Sequence, residues 1–216
     1  MSRFIIGISG SSGVILSVIL IRELVRLNHC LEVVISSGGY RTIYYELGKE
    51  FSTPKTFMNL FSHEERLRIN LHGINDIGAG IASGSYETSG MAIVPCSMAT
   101  VAALSVGLGD NALRRAGDVI MKEKRKFVIV PREAPLSTIH LENLLKLSRM
   151  EGVFILPPSP QWYFRPQSLE EVEKLIVGKI MACLGIKSDL FREWNGKIEK
   201  ENNLVSLGLF AVDHLM

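Results

Sequence analysis

The chain has 216 residues, 47% of them apolar and 21% charged, which suits one large domain with a substantial core and excludes a disordered chain. Its 24 basic and 22 acidic residues leave a net charge of +2, too weak a field to neutralise a run of nucleic-acid phosphates. Three widely spaced cysteines, Cys30, Cys96 and Cys183, without any Cys-x-x-Cys pairing, suggest neither a disulfide framework nor a zinc site.

Met1-Ser2-Arg3 leads straight into an apolar strand, with no basic n-region, long apolar h-region or small-residue cleavage site of a signal peptide. No apolar run reaches the roughly 18 to 20 residues that a membrane span needs, so a cytoplasmic location is expected. Arg3 to Ser9 (RFIIGIS) is an isoleucine-rich strand ending in the tight turn Gly10-Ser11-Ser12-Gly13. Val14 to Leu27 is apolar on more than one face, as in a crossover helix packed between a sheet and a neighbour. Leu31 to Ile35 (LEVVI) follows as a second strand and closes a first βαβ unit near residue 36. A further helix is expected between Thr56 and Asn70.

Met91 to Val94 (MAIV), Phe127 to Val130 (FVIV) and Val153 to Leu156 (VFIL) are further strands, each with helical patterns around it. This alternation implies an α/β fold: one doubly wound, Rossmann-like (flavodoxin-like) domain over residues 1–216, with a mainly parallel sheet and helices on both faces. The apolar tail Leu204 to Met216, interrupted by Asp213 and His214, reads as a docking helix or strand, or as a membrane-surface contact.

Ligands of open α/β sheets bind outside the carboxyl ends of the strands, so the residues just after each strand carry the chemistry. Here these are Gly10, Ser11, Ser12 and Gly13; Ser36 and Ser37; Pro95, Cys96, Ser97, Met98, Ala99 and Thr100; and Pro131, Arg132 and Glu133. Hydroxyls and glycines on three strand ends, with an arginine on the fourth, suit a phosphate and a flat polar ring. The first turn reads as an anion cradle, because a helix N-terminus exposes unpaired N–H groups and glycine lets an anion approach the backbone. Its spacing, Gly7-x-x-Gly10-x-x-Gly13, is neither G-x-G-x-x-G nor a P-loop, and no acidic residue ends the second strand. NAD and ATP are therefore disfavoured, whereas FMN is not.

Residues 114–126 (RRAGDVIMKEKRK) form a basic helical segment in which Arg115 and Lys122 share a face with Asp118, an alignment that could aim two cations at one anion. Arg132 and Glu133 offer a phosphate donor and an acid/base carboxyl in the crevice, or a structural ion pair. His140 reads as a satisfied helix histidine. Trp162 and Tyr163 follow the rigid Pro157-Pro158-Ser159-Pro160 and, with Trp194, read either as core or as ligand-facing aromatics.

Together these residues resemble the UbiX family of flavin prenyltransferases, within a wider group of homo-oligomeric flavin-containing decarboxylase-like proteins. The likeness runs from about Arg3 to Trp194, with the tail 197–216 outside it. It is densest in ISGSSG (Ile8 to Gly13), PCSMAT (Pro95 to Thr100), residues 114–126, VPREAPLSTIHLENLLKLS (Val130 to Ser148) and PPSPQWYFRPQS (Pro157 to Ser168). The resemblance implies reduced FMN as acceptor and dimethylallyl monophosphate as donor, joined without a metal at flavin N5 and C6. It also implies a homododecamer whose product, prenylated FMN, passes to a UbiD-type decarboxylase, often in ubiquinone synthesis.

Carried over by position, Gly10, Ser11, Ser12, Ser36, Ser97, Met98, Ala99, Thr100 and Arg132 contact FMN. Tyr163 and Lys179, with Arg115 and Lys122 nearby, hold the allylic phosphate; Ser83 lies in an active-site loop, and Trp194 is an aromatic near the substrate. Glu46 and Glu133 match the acid/base carboxylates, and Ser12 joins them at the reacting centre. Cations set around the departing phosphate can take the place that Mg²⁺ has with diphosphates. Lys179 stands where many relatives carry arginine, replacing a planar fork by a point charge. Ser37-Gly38-Gly39 replaces a commoner Lys-Ala-Ala. Two competing readings are an FMN-dependent decarboxylase of cysteinyl substrates, which needs a histidine base that no early strand end supplies here, and a non-catalytic flavin-binding partner subunit, against which Glu46 and Glu133 speak.

Overall fold

The computed structural model describes residues 1–191, 193 and 194. Strands β1 (Arg3–Ile8), β2 (Cys30–Ile35), β3 (Ile69–His72), β4 (Gly90–Cys96), β5 (Lys126–Pro131) and β6 (Val153–Ile155) form one sheet in the order β3-β2-β1-β4-β5-β6. All five pairings are parallel. This is the doubly wound arrangement, and its winding reverses between β1 and β4.

Burial on both faces explains why the inner strands read as unbroken apolar runs. Phe4, Ile6 and Ile8 of β1 point into one core, with α1 (Val14–Arg26) and α8 (Leu169–Leu184). Ile5 points into the other, with α5 (Met98–Ser105), α6 (Ala112–Lys122) and Leu147 of α7 (Thr138–Ser148). The crossover helix α1 buries residues around most of its circumference, from Val14 and Leu16 to Leu24 and Val25, because the sheet and α8 enclose it.

Two elements depart from the expectation. Ser37–Glu46 forms α2 despite Gly38 and Gly39 in its first turn. In place of one helix between Thr56 and Asn70, the chain makes single turns α3 (Pro54–Phe57) and α4 (His63–Arg66), then β3. Capping boxes at Thr53 and Ser62 restart the chain twice, each side chain accepting from the third residue on, so no helix continues through. The edge strand β3 buries only Ile69 fully, which left no apolar signal for it. Residues 197–216, and with them the tail read as a docking element, lie outside the described residues. Among the described residues, no helix is long and apolar enough to cross a membrane.

Candidate active site

The loops after β1 and β4 flank the reversal of winding and open onto one crevice. Hydrogen bonds join them into a single floor. Ser9 Oγ donates to the Pro95 carbonyl (3.2 Å) and accepts from the Ser97 N–H (2.7 Å), so one buried hydroxyl ties the end of β1 to the cap of α5. Ser11 Oγ donates to the Arg132 carbonyl (2.9 Å), tying the glycine-serine turn to the loop after β5. The loop after β2 comes closer still: a Cβ on Gly10 would stand 2.9 Å from Gly38 Cα, and one on Gly39 would stand 2.7 Å from the Ile8 carbonyl oxygen. Two glycines in the first turn of α2 are thus a packing requirement.

Serines cap the two helices that open on this crevice. Ser36 accepts from the Gly39 N–H (3.0 Å) at α2, and Ser97 accepts from the Thr100 N–H (3.4 Å) at α5 and shares a hydrogen bond with Thr100 Oγ1 (3.1 Å). The N–H groups of Ser37 and Gly38, and of Met98 and Ala99, then lead their helices without an intrahelical acceptor and carry the positive end of the helix dipole. With Arg132 exposed beside them, these donors fit a phosphate monoester and the polar edge of a flavin ring.

Helix α1 differs from the expected cradle. Its N-cap is Gly13, with φ 101°, and brings no side chain. Glu46, the last residue of α2, reaches across 33 positions instead. Its carboxylate accepts from Gly13 N–H (3.1 and 3.0 Å) and Val14 N–H (2.9 Å). A side chain of this chain therefore occupies the anion place at α1, because a carboxylate satisfies the unpaired N–H groups as a phosphate would. Ser12 is exposed beside it.

Arg132 and Glu133 form no ion pair among the described residues: both are exposed, and the Glu133 carboxylate accepts from its neighbour Ala134 N–H (3.2 Å). His140 completes a capping box with Ser137 at the start of α7, the satisfied role expected of it. Cys96 is fully buried, and burial pushes its thiol well above the ordinary range, which removes it as a nucleophile.

A second group of predicted residues lies on α8 and on the chain before and after it. A Cβ on Gly178 would lie 2.5 Å from the Leu190 carbonyl carbon, so the chain after α8 lies directly on that helix. It brings Phe191 under the Lys179 ammonium (5.4 Å to the ring centre) and Trp194 against Tyr163 (5.4 Å between ring centres). Tyr163 is 82% exposed and Trp194 50%, so this cluster faces outward and is not core.

Ser83, Arg115 and Lys122 behave differently. Helix α6 runs against the strands, so its last residue Lys122 lies at their amino ends, close to the start of β5. The length of β4, roughly 20 Å, separates that edge from Ser97. Gly84, next to Ser83, lies against the same end of α6, where its Cβ would be 3.0 Å from Lys122 Nζ. One copy of the chain does not bring Ser83 and Lys122 to its own crevice. The two cations do not converge on one anion either, because Arg115 pairs with Asp118 (2.6 Å) and Lys122 with Glu123.

The flavoprotein family profile matches residues 1–182. The flavin prenyltransferase UbiX of Chlamydia pneumoniae is 54% identical over 195 residues, covering 90% of this chain and 98% of that one. The chain belongs to the UbiX family of flavin prenyltransferases. The solved structure of AnUbiX in complex with FMN and dimethylallyl pyrophosphate superposes with a TM-score of 0.81 at 35% identity, over 91% of this chain and 98% of that one. A dodecameric FMN-dependent UbiX-like decarboxylase from Escherichia coli O157:H7 superposes with a TM-score of 0.79 at 36% identity, over 90% and 100%.

Membership gives the flavin crevice its meaning and leaves three features that sequence reading missed. Ser9 closes the first strand in sequence, and a hydroxyl at the end of a buried strand signals a bond to a neighbouring loop. Glu46 was placed only by resemblance, and the missing side-chain cap on Gly13 is the signal that α1 needs an acceptor from elsewhere. His72 ends β3, an early strand end bearing a histidine after all. Its Nε2 is taken by Glu32 Oε2 (2.6 Å), so it is not a free base for the cysteinyl decarboxylase reading. Among the described residues, no group of three or more His, Cys, Asp or Glu could hold a metal ion.

Proposed function

We propose that this protein joins the dimethylallyl group of an allylic phosphate to N5 and C6 of reduced FMN, in a homo-oligomer whose active site is shared between copies. The observation that carries the reading is family membership over nine-tenths of the chain, with the loops after β1, β2 and β4 tied into one floor. Reduced flavin supplies the nucleophilic N5 and C6. The donor's C–O bond breaks, its electron pair leaves with phosphate, and N5 loses its proton as it bonds to the allylic carbon. A proton then adds to the remaining double bond, and the C6 proton is lost as C6 bonds to the tertiary carbon and closes the ring.

The chain's own residues hold and time these events. Ser36, Ser97, Met98, Ala99 and Arg132 bind the flavin, with Gly10, Ser11, Ser12 and Thr100 shaping the floor. Tyr163, Lys179 and Trp194 bind the donor, cations stabilising the departing phosphate and aromatic faces excluding water from the allylic carbon. Removing one such donor to the phosphate raises the barrier by about 3 kcal/mol. Glu133, exposed and free of an ion pair among the described residues, is suited to accept the C6 proton, while Glu46 beside Ser12 fixes the start of α1.

Ser83 and Lys122 serve the crevice of a neighbouring copy, the reading supported by their place at the opposite edge of the sheet, and Arg115, about two turns before Lys122 on α6, accompanies them. Assembly also accounts for the apolar side chains that α7 leaves exposed, Ile139 at 67%, Leu141 at 53% and Leu145 at 52%. The relative from Escherichia coli supports a dodecamer. Monophosphate as the preferred donor, a UbiD-type decarboxylase as recipient and a cytoplasmic location complete the proposal. The test is incubation with reduced FMN and dimethylallyl monophosphate, with no metal added. Flavin heavier by one five-carbon unit, with phosphate released, is expected; unaltered FMN by mass spectrometry overturns the reading.

A further inference from the structure

The segment before β4 is held by side chains that no step of this reaction uses. The Arg125 guanidinium donates to the Gly84 carbonyl (2.7 Å), the Tyr86 carbonyl (2.9 Å) and Thr88 Oγ1 (3.0 Å). The Tyr86 ring is enclosed between Gly80, where a Cβ would lie 3.0 Å from it, and the Arg3 guanidinium, 4.6 Å from its centre. Its hydroxyl donates to Glu32 Oε1 (2.6 Å). Glu32 is 4% exposed on β2, accepts from Asn70 Nδ2 (2.8 Å), and meets Arg3 Nε at 3.2 Å besides His72.

Between these fixed points lies Ser83-Gly84-Ser85, whose two hydroxyls bond each other (2.9 Å). Small residues around a glycine leave a loop many conformations, and each must be excluded before a hydroxyl can meet a phosphate in one geometry. Gly84 rests against Lys122 and Glu123, so the position of this loop also sets that of the Lys122 ammonium. A planar fork on two carbonyls and a buried carboxylate on the tyrosine hydroxyl provide that restriction.

We propose that Tyr86, Glu32 and Arg125 are positioning residues for the donor phosphate. They hold Ser83 and Lys122 in the geometry in which a neighbouring copy receives them. The inference rests on the reading that Ser83 and Lys122 face that phosphate.

The test compares Tyr86→Phe, which removes one hydroxyl, and Arg125→Lys, which keeps the charge and loses the fork, in the full chain with assembly checked by light scattering. The expected result is a fall of about tenfold to a hundredfold in kcat/KM for dimethylallyl monophosphate, with FMN affinity unchanged. In a Ser83→Ala, Lys122→Ala background the same two substitutions should have no further effect. A folded, assembled Tyr86→Phe that loses thermal stability but keeps kcat/KM overturns the proposal, since that is the signature of a merely structural bond. If Arg125→Lys does not assemble, Tyr86→Phe decides. If Ser83→Ala and Lys122→Ala themselves leave kcat/KM intact, the shared-site reading fails and the positioning role falls with it.

Discussion

Replacing Glu46 tests how the first crossover helix is started. Its carboxylate makes three contacts with Gly13 and Val14 N–H at 2.9 to 3.1 Å, and Gly13 brings no cap of its own. A hydrogen bond to a charged group contributes about 1.5 to 3 kcal/mol, and a charge at a helix end about 0.3 to 1 kcal/mol when exposed. Because Glu46 is exposed, the lower end applies, and Glu46→Ala should lose about 2 kcal/mol. For a chain of this size that corresponds to a fall in Tm of about 4 to 8 °C. Glu46→Gln keeps an oxygen acceptor without the charge and should lose about half as much. Thermal melts with and without inorganic phosphate provide the assay. Phosphate should raise the Tm of Glu46→Ala more than that of the unaltered protein, since the vacated N–H groups can then donate to an external anion. An alanine variant that melts like the parent in phosphate-free buffer, with no added response to phosphate, would refute the capping role.

Gly39→Ala places a Cβ 2.7 Å from the Ile8 carbonyl oxygen and 2.9 Å from Ile35 Cγ2, so α2 must move away from β1. A loss of about 1 to 3 kcal/mol by denaturant titration is expected, with weaker FMN binding by flavin fluorescence. Glu133→Gln should retain FMN while turnover falls about 10² to 10⁴-fold; near-normal turnover removes that carboxylate from the proton transfer. For Glu32, burial by itself raises the carboxyl, but hydrogen bonds from His72, Tyr86 and Asn70 together outweigh it and hold it below its ordinary 4.5. A depressed folded-state value stabilises the fold above the unfolded value, and that stability is lost as pH falls through the folded one. The Tm difference between the parent and Glu32→Gln should therefore hold from neutral pH down to about 4.5 and shrink only below it. A difference independent of pH would show that the carboxylate is not ionised in the fold.

The inner strands were legible in sequence because a parallel strand buried on both faces carries apolar residues at nearly every position, as FIIGI and FVIV do and as LEVVI does save for Glu32. The loops at the strand ends were legible as candidates for a related reason: strand ends in such a sheet converge, although their glycines and serines also pack and cap, as Gly39, Ser11 and Ser36 do. Family resemblance added the residues Tyr163, Lys179 and Trp194, and the chain after α8 sets Trp194 against Tyr163 and Phe191 under Lys179.

What sequence could not give are relations between distant segments. The edge strand β3 has one buried side and only four residues, too short for alternation to register. Residues 33 positions apart meet when Glu46 caps α1, because only the packed sheet brings the end of α2 to Gly13. The direction of α6 sends Lys122 to the edge opposite the flavin loops, a consequence of the crossover and not of any local pattern. Composition and periodicity thus determined which segments are buried and which strand ends bear hydroxyls. Tertiary structure alone decided which of those groups already bond one another and which remain open to a ligand, since a donor's partner depends on proximity in space and not on order along the chain.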